Sequence, residues 1–183
     1  MPPTAPVVPL AIPVDQSRDH VLGPADAPIT LVEYGDYECP HCGAVHPIIK
    51  ALREQMGQQL RFVYRHFPLT TMHPHAMRAA EAAECAGAQE KFWEMHDLLF
   101  RNQQHLTDEK LVWYAAELKL DVTRFEEDLA AHTCLPRVQE DYRGAVRSGV
   151  KGTPAFFINN VRYKGEYDLA PLLAAVRGAA TGP

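Results

Sequence analysis

The stretch Ile29-Thr30-Leu31-Val32-Glu33-Tyr34-Gly35-Asp36-Tyr37-Glu38-Cys39-Pro40-His41-Cys42 decides how the rest of the chain is read. Ile29 to Gly35 is a short apolar run of strand length, preceded by the turn-rich Gly23-Pro24-Ala25-Asp26-Ala27-Pro28. Pro40 then stands where a helix would begin, with Val45, Ile48, Ile49 and Leu52 at helical spacing behind it. Leu60 to Phe67 reads as a second strand, so the order is a βαβ unit whose two strands are parallel. Two cysteines at the Cys39-x-x-Cys42 spacing can close a small disulfide at the start of that helix. Unpaired N–H groups and the helix dipole favour a thiolate on Cys39, and the thiolate is the nucleophile of disulfide exchange. The competing reading is half of a zinc site. It needs a second pair of ligands, and Cys85 and Cys134 stand far apart with no close histidine.

Outward from this unit the pattern changes. From Pro74 to about Ser148 the periodicity is helical: alanines crowd Ala76 to Ala88, and Phe92, Met95 and Leu99 form a stripe. Leu111, Ala115 and Leu118 follow Thr107 as N-cap, and Val122, Phe125 and Leu129 follow Asp121. No strand signal interrupts this block of four or five helices. Strand character returns at Ala155 to Ile158, Asn159-Asn160 suits a two-residue hairpin turn, and Val161 to Lys164 is the returning strand. A last helix starts at Asp168, carries Leu169, Leu172, Leu173 and Val176 on one face, and ends before Gly178. The division is a Pro-rich leader over 1–19, βαβ over 20–73, a helical insertion over 74–148 and ββα over 149–183.

The 183 residues hold 46% hydrophobic and 22% charged side chains, as expected for a globular domain rather than a disordered or fibrous chain. No apolar run approaches the roughly 20 residues that span a bilayer, so membrane insertion is not expected. Eighteen basic against 23 acidic residues, net −5, leave no bulk positive field for nucleic acid. Residues 1–13 carry five prolines and no lysine or arginine, unlike a secretory signal. The sequence therefore predicts a cytoplasmic protein, or an extracytoplasmic one had a signal segment been removed.

Cys39-Pro40-His41-Cys42 after a strand, the interrupting helices, and Gly152-Thr153-Pro154 before a hairpin together resemble the DsbA-like thiol–disulfide oxidoreductases. The likeness covers about residues 20 to 177. It extends to the soluble Val-Glu-Tyr-Gly-Asp-Tyr-Glu-Cys-Pro-His-Cys type, here residues 32–42, some of which are joined to cation/proton antiporters. His66-Phe67-Pro68-Leu69 and the run from Phe92 to Asp97 are similar to that branch. The resemblance implies an α/β thioredoxin-like fold, a central mixed sheet with an inserted all-helical domain. It also implies an enzyme without cofactor or metal that exchanges disulfides with protein or small-molecule thiols, more as oxidant than reductase.

In that reading Cys39 attacks, or is attacked, to give a mixed disulfide, Cys42 resolves it, and a redox partner regenerates the pair. His41, beside Pro40, favours the Cys39 thiolate by hydrogen bond or positive charge, whereas Glu38 opposes it by like charge. Glu33 is implied to be a buried acid beneath Cys42 that shuttles its proton; the pattern alone fits an outward-facing acid equally well. Sequence alone makes Pro154 a trans residue opening a strand. The resemblance implies a cis bond facing the disulfide, with the Thr153 backbone pairing with extended substrate. Cys85 and Cys134 read as small buried hydrophobes, and some relatives carry a second, structural disulfide in the helical region. His73-x-His75, with Glu81 and Glu84 poorly placed, reads as surface or capping rather than metal-binding. A monomer is expected. The rival functions are a non-enzymatic zinc- or partner-binding module and a redox-inert scaffold.

Overall fold

Five strands, β1 (His20–Leu22), β2 (Ile29–Gly35), β3 (Leu60–His66), β4 (Ala155–Ile158) and β5 (Val161–Arg162), form one sheet in the computed structural model, which describes residues 9–180. Their order is β1-β3-β2-β4-β5. β2 runs parallel to β3 and antiparallel to β4, while β1 and β5 add antiparallel edges. The sheet is mixed, as expected for a thioredoxin-like fold.

The centre of the sheet is buried on both faces, and the two-residue period of a strand divides its side chains. Ile29 and Leu31 join Phe62, Tyr64 and Phe156 in a core shared with Val45, Ile49 and Leu52 of helix α1 (Pro40–Met56). Val32 and Tyr34 join Val63 and Phe157 on the other face. Glu33 therefore lies on the α1 face with Leu31. Truncating Leu52, which has no exposed surface, to alanine would cost about 2–5 kcal/mol.

Between β3 and β4 come α2 (Ala76–Gly87), α3 (Phe92–Arg101), α4 (Asp108–Glu117), α5 (Val122–Ala130) and α6 (Leu135–Arg147). Buried alanines 79, 80, 82, 83 and 86 let the neighbours of α2 approach its backbone closely. Asp121 caps α5 by accepting from the Arg124 N–H at 3.0 Å. α7 (Leu169–Ala179) closes the fold against α1. Asn159 and Asn160 take φ of 45° and 69° at the β4–β5 turn, the left-handed pair a two-residue hairpin needs.

Several boundaries differ from the sequence reading. The leader was expected to be loose up to residue 19, but of the described residues 9–19 several are fixed by backbone contacts. Leu10 is buried, and its N–H donates to the Asn160 carbonyl at 2.8 Å. Arg65 donates to the Ile12 and Pro13 carbonyls and doubly to Asp19, at 2.8–3.1 Å. Residues 1–8 of that leader lie outside the described residues. β3 and β5 stop at His66 and Arg162, short of the Phe67 and Lys164 read from the sequence. Gly178 lies within α7 rather than past its end, where the buried Leu172 and Val176 outweigh the poor helix propensity of glycine. Among the described residues no helix is long and apolar enough to cross a membrane.

Candidate active site

β2 delivers its chain to a tight turn, and the turn delivers Cys39 to the N-cap of α1, with Pro40 as the first helical residue. Proline suits that position because its missing N–H would have had no helical partner. Asp36 holds the turn. Its carboxylate accepts from the Glu38 N–H at 2.8 Å and the Leu69 N–H at 2.9 Å, and lies 2.7 Å from His73 Nδ1. Gln103, just past α3, donates to the Tyr37 and Cys39 carbonyls at 2.9 and 2.8 Å.

The two sulfurs have opposite environments. Cys39 is lowered to about 5, first by a hydrogen bond from Cys42, against the opposing effect of burial, then by Thr153 and by the Cys42 and His41 N–H groups. Cys42 has no exposed surface and is pushed well up, first by burial, then by Cys39 and the Glu33 charge. The first cysteine is thus the thiolate and the second the thiol. The His41 side chain is exposed, and the contribution of His41 to Cys39 runs through its backbone N–H.

Glu33 is 3% exposed, with one carboxylate oxygen lacking a partner among the described residues. Burial, then the Cys39 charge, raises it to about 8, so it holds its proton near neutral pH. Thr153 and Pro154 face the pair across the end of β4. Cys39 Sγ lies 3.6 Å from the Thr153 carbonyl, and the Thr153–Pro154 bond is cis. The site residues read from the sequence therefore converge, except Cys85 and Cys134. Those two lie between α2 and the start of α6 with sulfurs 2.7 Å apart.

Glu38 has a partner that the sequence reading did not name. Its carboxylate accepts from the His75 N–H at 2.7 Å and sits 2.8 Å from His75 Nδ1, at the N-terminus of α2. The carboxylate thus sits at a helix N-terminus, a position that favours negative charge. His73 and His75, read as surface or capping residues, therefore clasp Asp36 and Glu38 on the cysteine turn. Burial pulls His73 down, but the hydrogen bond and charge of Asp36 prevail and raise it. Asp36, His73, His75 and Gln103 were not read as site residues. Only the acids' closeness to Cys39 hinted at them.

Two groups of metal-ligating side chains converge among the described residues, and neither contains a cysteine: His46 with His96 and Asp97, and His66 with Glu84 and Asp141. Their carboxylates already have partners. The Lys50 ammonium is 2.7 Å from Asp97, and Arg53 lines the same cavity of about 60 Å³. Glu84 contacts His20 and His66, and Asp141 is bound by Arg137.

The family profile described as Thioredoxin matches residues 15–177. The Na(+)/H(+) antiporter NhaA 1 of Salinispora arenicola is 49% identical over 176 residues, which are 96% of this chain and 27% of that protein. This chain thus spans about a quarter of the length of the curated relatives it matches. BdbD from Bacillus subtilis shares the fold at TM-score 0.85 and 23% identity, over 95% of this chain and 99% of that one. A thioredoxin-like oxidoreductase from Silicibacter pomeroyi aligns at 0.81 and 26%, over 92% and 95%. α-DsbA1 from Wolbachia pipientis aligns at 0.77 and 22%, over 93% and 94%. These likenesses correct the cytoplasmic location: BdbD and DsbA are extracytoplasmic enzymes, which conflicts with it. That expectation rested on residues 1–13, which do not fix the compartment of a chain matching so small a part of longer relatives.

Proposed function

The chain belongs to the thioredoxin family; from that premise we propose that it is a DsbA-like thiol–disulfide oxidoreductase, that Cys39 and Cys42 are its redox pair and that it works as an oxidant of protein thiols. One observation carries this reading: Cys39 is lowered to about 5 while its neighbour Cys42 is raised. A stabilised thiolate favours the reduced pair, and a favoured reduced pair makes the disulfide a stronger oxidant.

In the oxidising direction a substrate thiolate attacks Cys39 Sγ. The Cys39–Cys42 bond breaks, and a bond forms between the substrate sulfur and Cys39. Cys42 leaves as a thiolate and takes the proton that Glu33 holds. A second substrate thiolate then attacks the first substrate sulfur, releasing Cys39 as a thiolate and leaving a substrate disulfide. A redox partner accepts the two electrons when the pair is reoxidised. Extended substrate is held by the Thr153 backbone beside Pro154, a docking that reads main chain and suits many sequences.

We also infer that Cys85 and Cys134 form a structural disulfide, supported by the 2.7 Å between their sulfurs. The test of the main reading is disulfide formation in a reduced, unfolded protein by the oxidised chain. Cys39→Ser should abolish it, and the lone Cys39 thiolate of Cys42→Ser should attack a disulfide-bonded protein, release one substrate thiolate and accumulate as a mixed disulfide. Full activity in Cys39→Ser would overturn the reading.

A further inference from the structure

A groove of about 660 Å³ opens beside the Thr153–Pro154 segment, with His41 at its active-site end. Lys151, Arg162 and Lys164 line it together with Tyr163 and Tyr167. None of the three cations comes within 4 Å of an acidic side chain among the described residues, unlike the arginines at Asp19, Asp108 and Asp141. Glu166 and Asp168, on the loop that leads from β5 to α7, are exposed, and neither lines the groove. The chain as a whole carries net −5, so three unmatched cations here run against its overall charge.

The wall is also preformed. Tyr167 donates through its hydroxyl to the Pro154 carbonyl at 3.1 Å, and Tyr163 to the Glu166 carbonyl at 2.8 Å. Their rings stand 6.3 Å apart, and the Tyr167 ring packs on Phe156. The Arg162 guanidinium lies over the Phe157 ring, 5.4 Å from its centre. A groove shaped before binding holds a ligand at less entropic cost than one shaped by it.

Resting on the redox reading above, we propose that this groove selects acidic partners: an extended protein segment whose exchanging cysteine is flanked by Asp or Glu. Main-chain pairing at Thr153 would place the cysteine sulfur at Cys39 regardless of sequence. Lys151, Arg162 and Lys164 then discriminate among the segments so placed. Their attraction for flanking carboxylates raises the encounter rate and fixes the register, and like charge disfavours basic segments.

The experiment compares three disulfide-linked peptides, with acidic, neutral or basic residues around one cysteine, as substrates of the full chain. Neutral bis(2-hydroxyethyl) disulfide and glutathione disulfide serve as references. The acidic peptide should exceed the basic one in kcat/KM by about tenfold at low salt, and the ratio should shrink towards one in 1 M salt. Lys151→Glu with Lys164→Glu should reverse the order of the peptides, and Lys164→Gln should weaken the preference without reversing it. Equal rates for the three peptides, with the neutral disulfide still exchanged, would overturn the charge selection alone. Glutathione disulfide outpacing the acidic peptide would replace the protein segment by a small anionic thiol and overturn the proposal. Exchange with no disulfide would overturn the redox reading and this one with it.

Discussion

The Glu38 carboxylate closes on His75, with Oε1 2.8 Å from the imidazole Nδ1 and Oε2 2.7 Å from the His75 N–H. A charge beside the nucleophile is thus anchored on a different element, the N-terminus of α2. His75→Ala should free that charge and raise the Cys39 pKa by about one unit or less, since the pair is partly exposed and screened. The rate of Cys39 alkylation against pH reads this directly. An unmoved curve would mean that His75 does not balance Glu38.

Glu33 couples stability to pH in an unusual direction. The unfolded chain loses this proton near 4.5, whereas the folded chain keeps it to about 8. The folded state therefore binds the extra proton across that window, and stability falls as pH rises from 4.5 to 8. Glu33→Gln should remove this fall, leaving the variant more stable than the parent at pH 8 by denaturant titration. The same variant should slow exchange at neutral pH by about tenfold or more, because Cys42 loses its proton partner. A variant no more stable at pH 8 would refute the buried, protonated acid.

Glu84 gives the ordinary sign. Burial raises it, but hydrogen bonds to His20 and His66 outweigh burial and hold it well below the usual carboxylate range. Its contribution is present above about pH 4.5 and lost as pH falls through its lower folded value. Glu84→Gln should flatten the acid limb of a stability profile measured from pH 6 to 3. An unchanged limb would contradict the pairing.

Gly43 is needed for Gln103 rather than for helix geometry. A Cβ at residue 43 would lie next to Gln103 Oε1. Gly43→Ala should therefore displace the amide, with its two hydrogen bonds to the cysteine turn, and cost about 1–2 kcal/mol. In a Gln103→Ala background the same change should instead stabilise by about 0.5–1 kcal/mol, the helix preference of alanine over glycine. Additive effects in that double-mutant cycle would show that the two residues do not meet.

The fold was legible where its determinants are local. The apolar run of β2, Pro40 at the start of α1 and the Asn159-Asn160 turn each carry their structure within a few residues. The active-site frame was not. His75 is 37 positions from Glu38, and Gln103 is 64 from Cys39, so no periodicity links them. Residues 9–19 misled for a related reason. They are fixed mainly through backbone carbonyls offered to Arg65, and composition does not report carbonyls. Glu38 was read as a charge opposing Cys39, and its hydrogen-bond partner His75 stands on a different element.

The proposed Cys85–Cys134 bridge should leave no free thiol in the oxidised, denatured chain. Replacing both by alanine should lower stability by several kcal/mol, on the order of 4, with exchange largely intact. Two free thiols after oxidation would rule the bridge out.

The reduction potential of the Cys39–Cys42 pair against glutathione tests the oxidant reading most directly. From the low Cys39 pKa we expect about −120 to −190 mV, between DsbA and protein disulfide isomerase or close by. A value near the roughly −270 mV of thioredoxin would contradict the oxidant reading and make the protein a reductase.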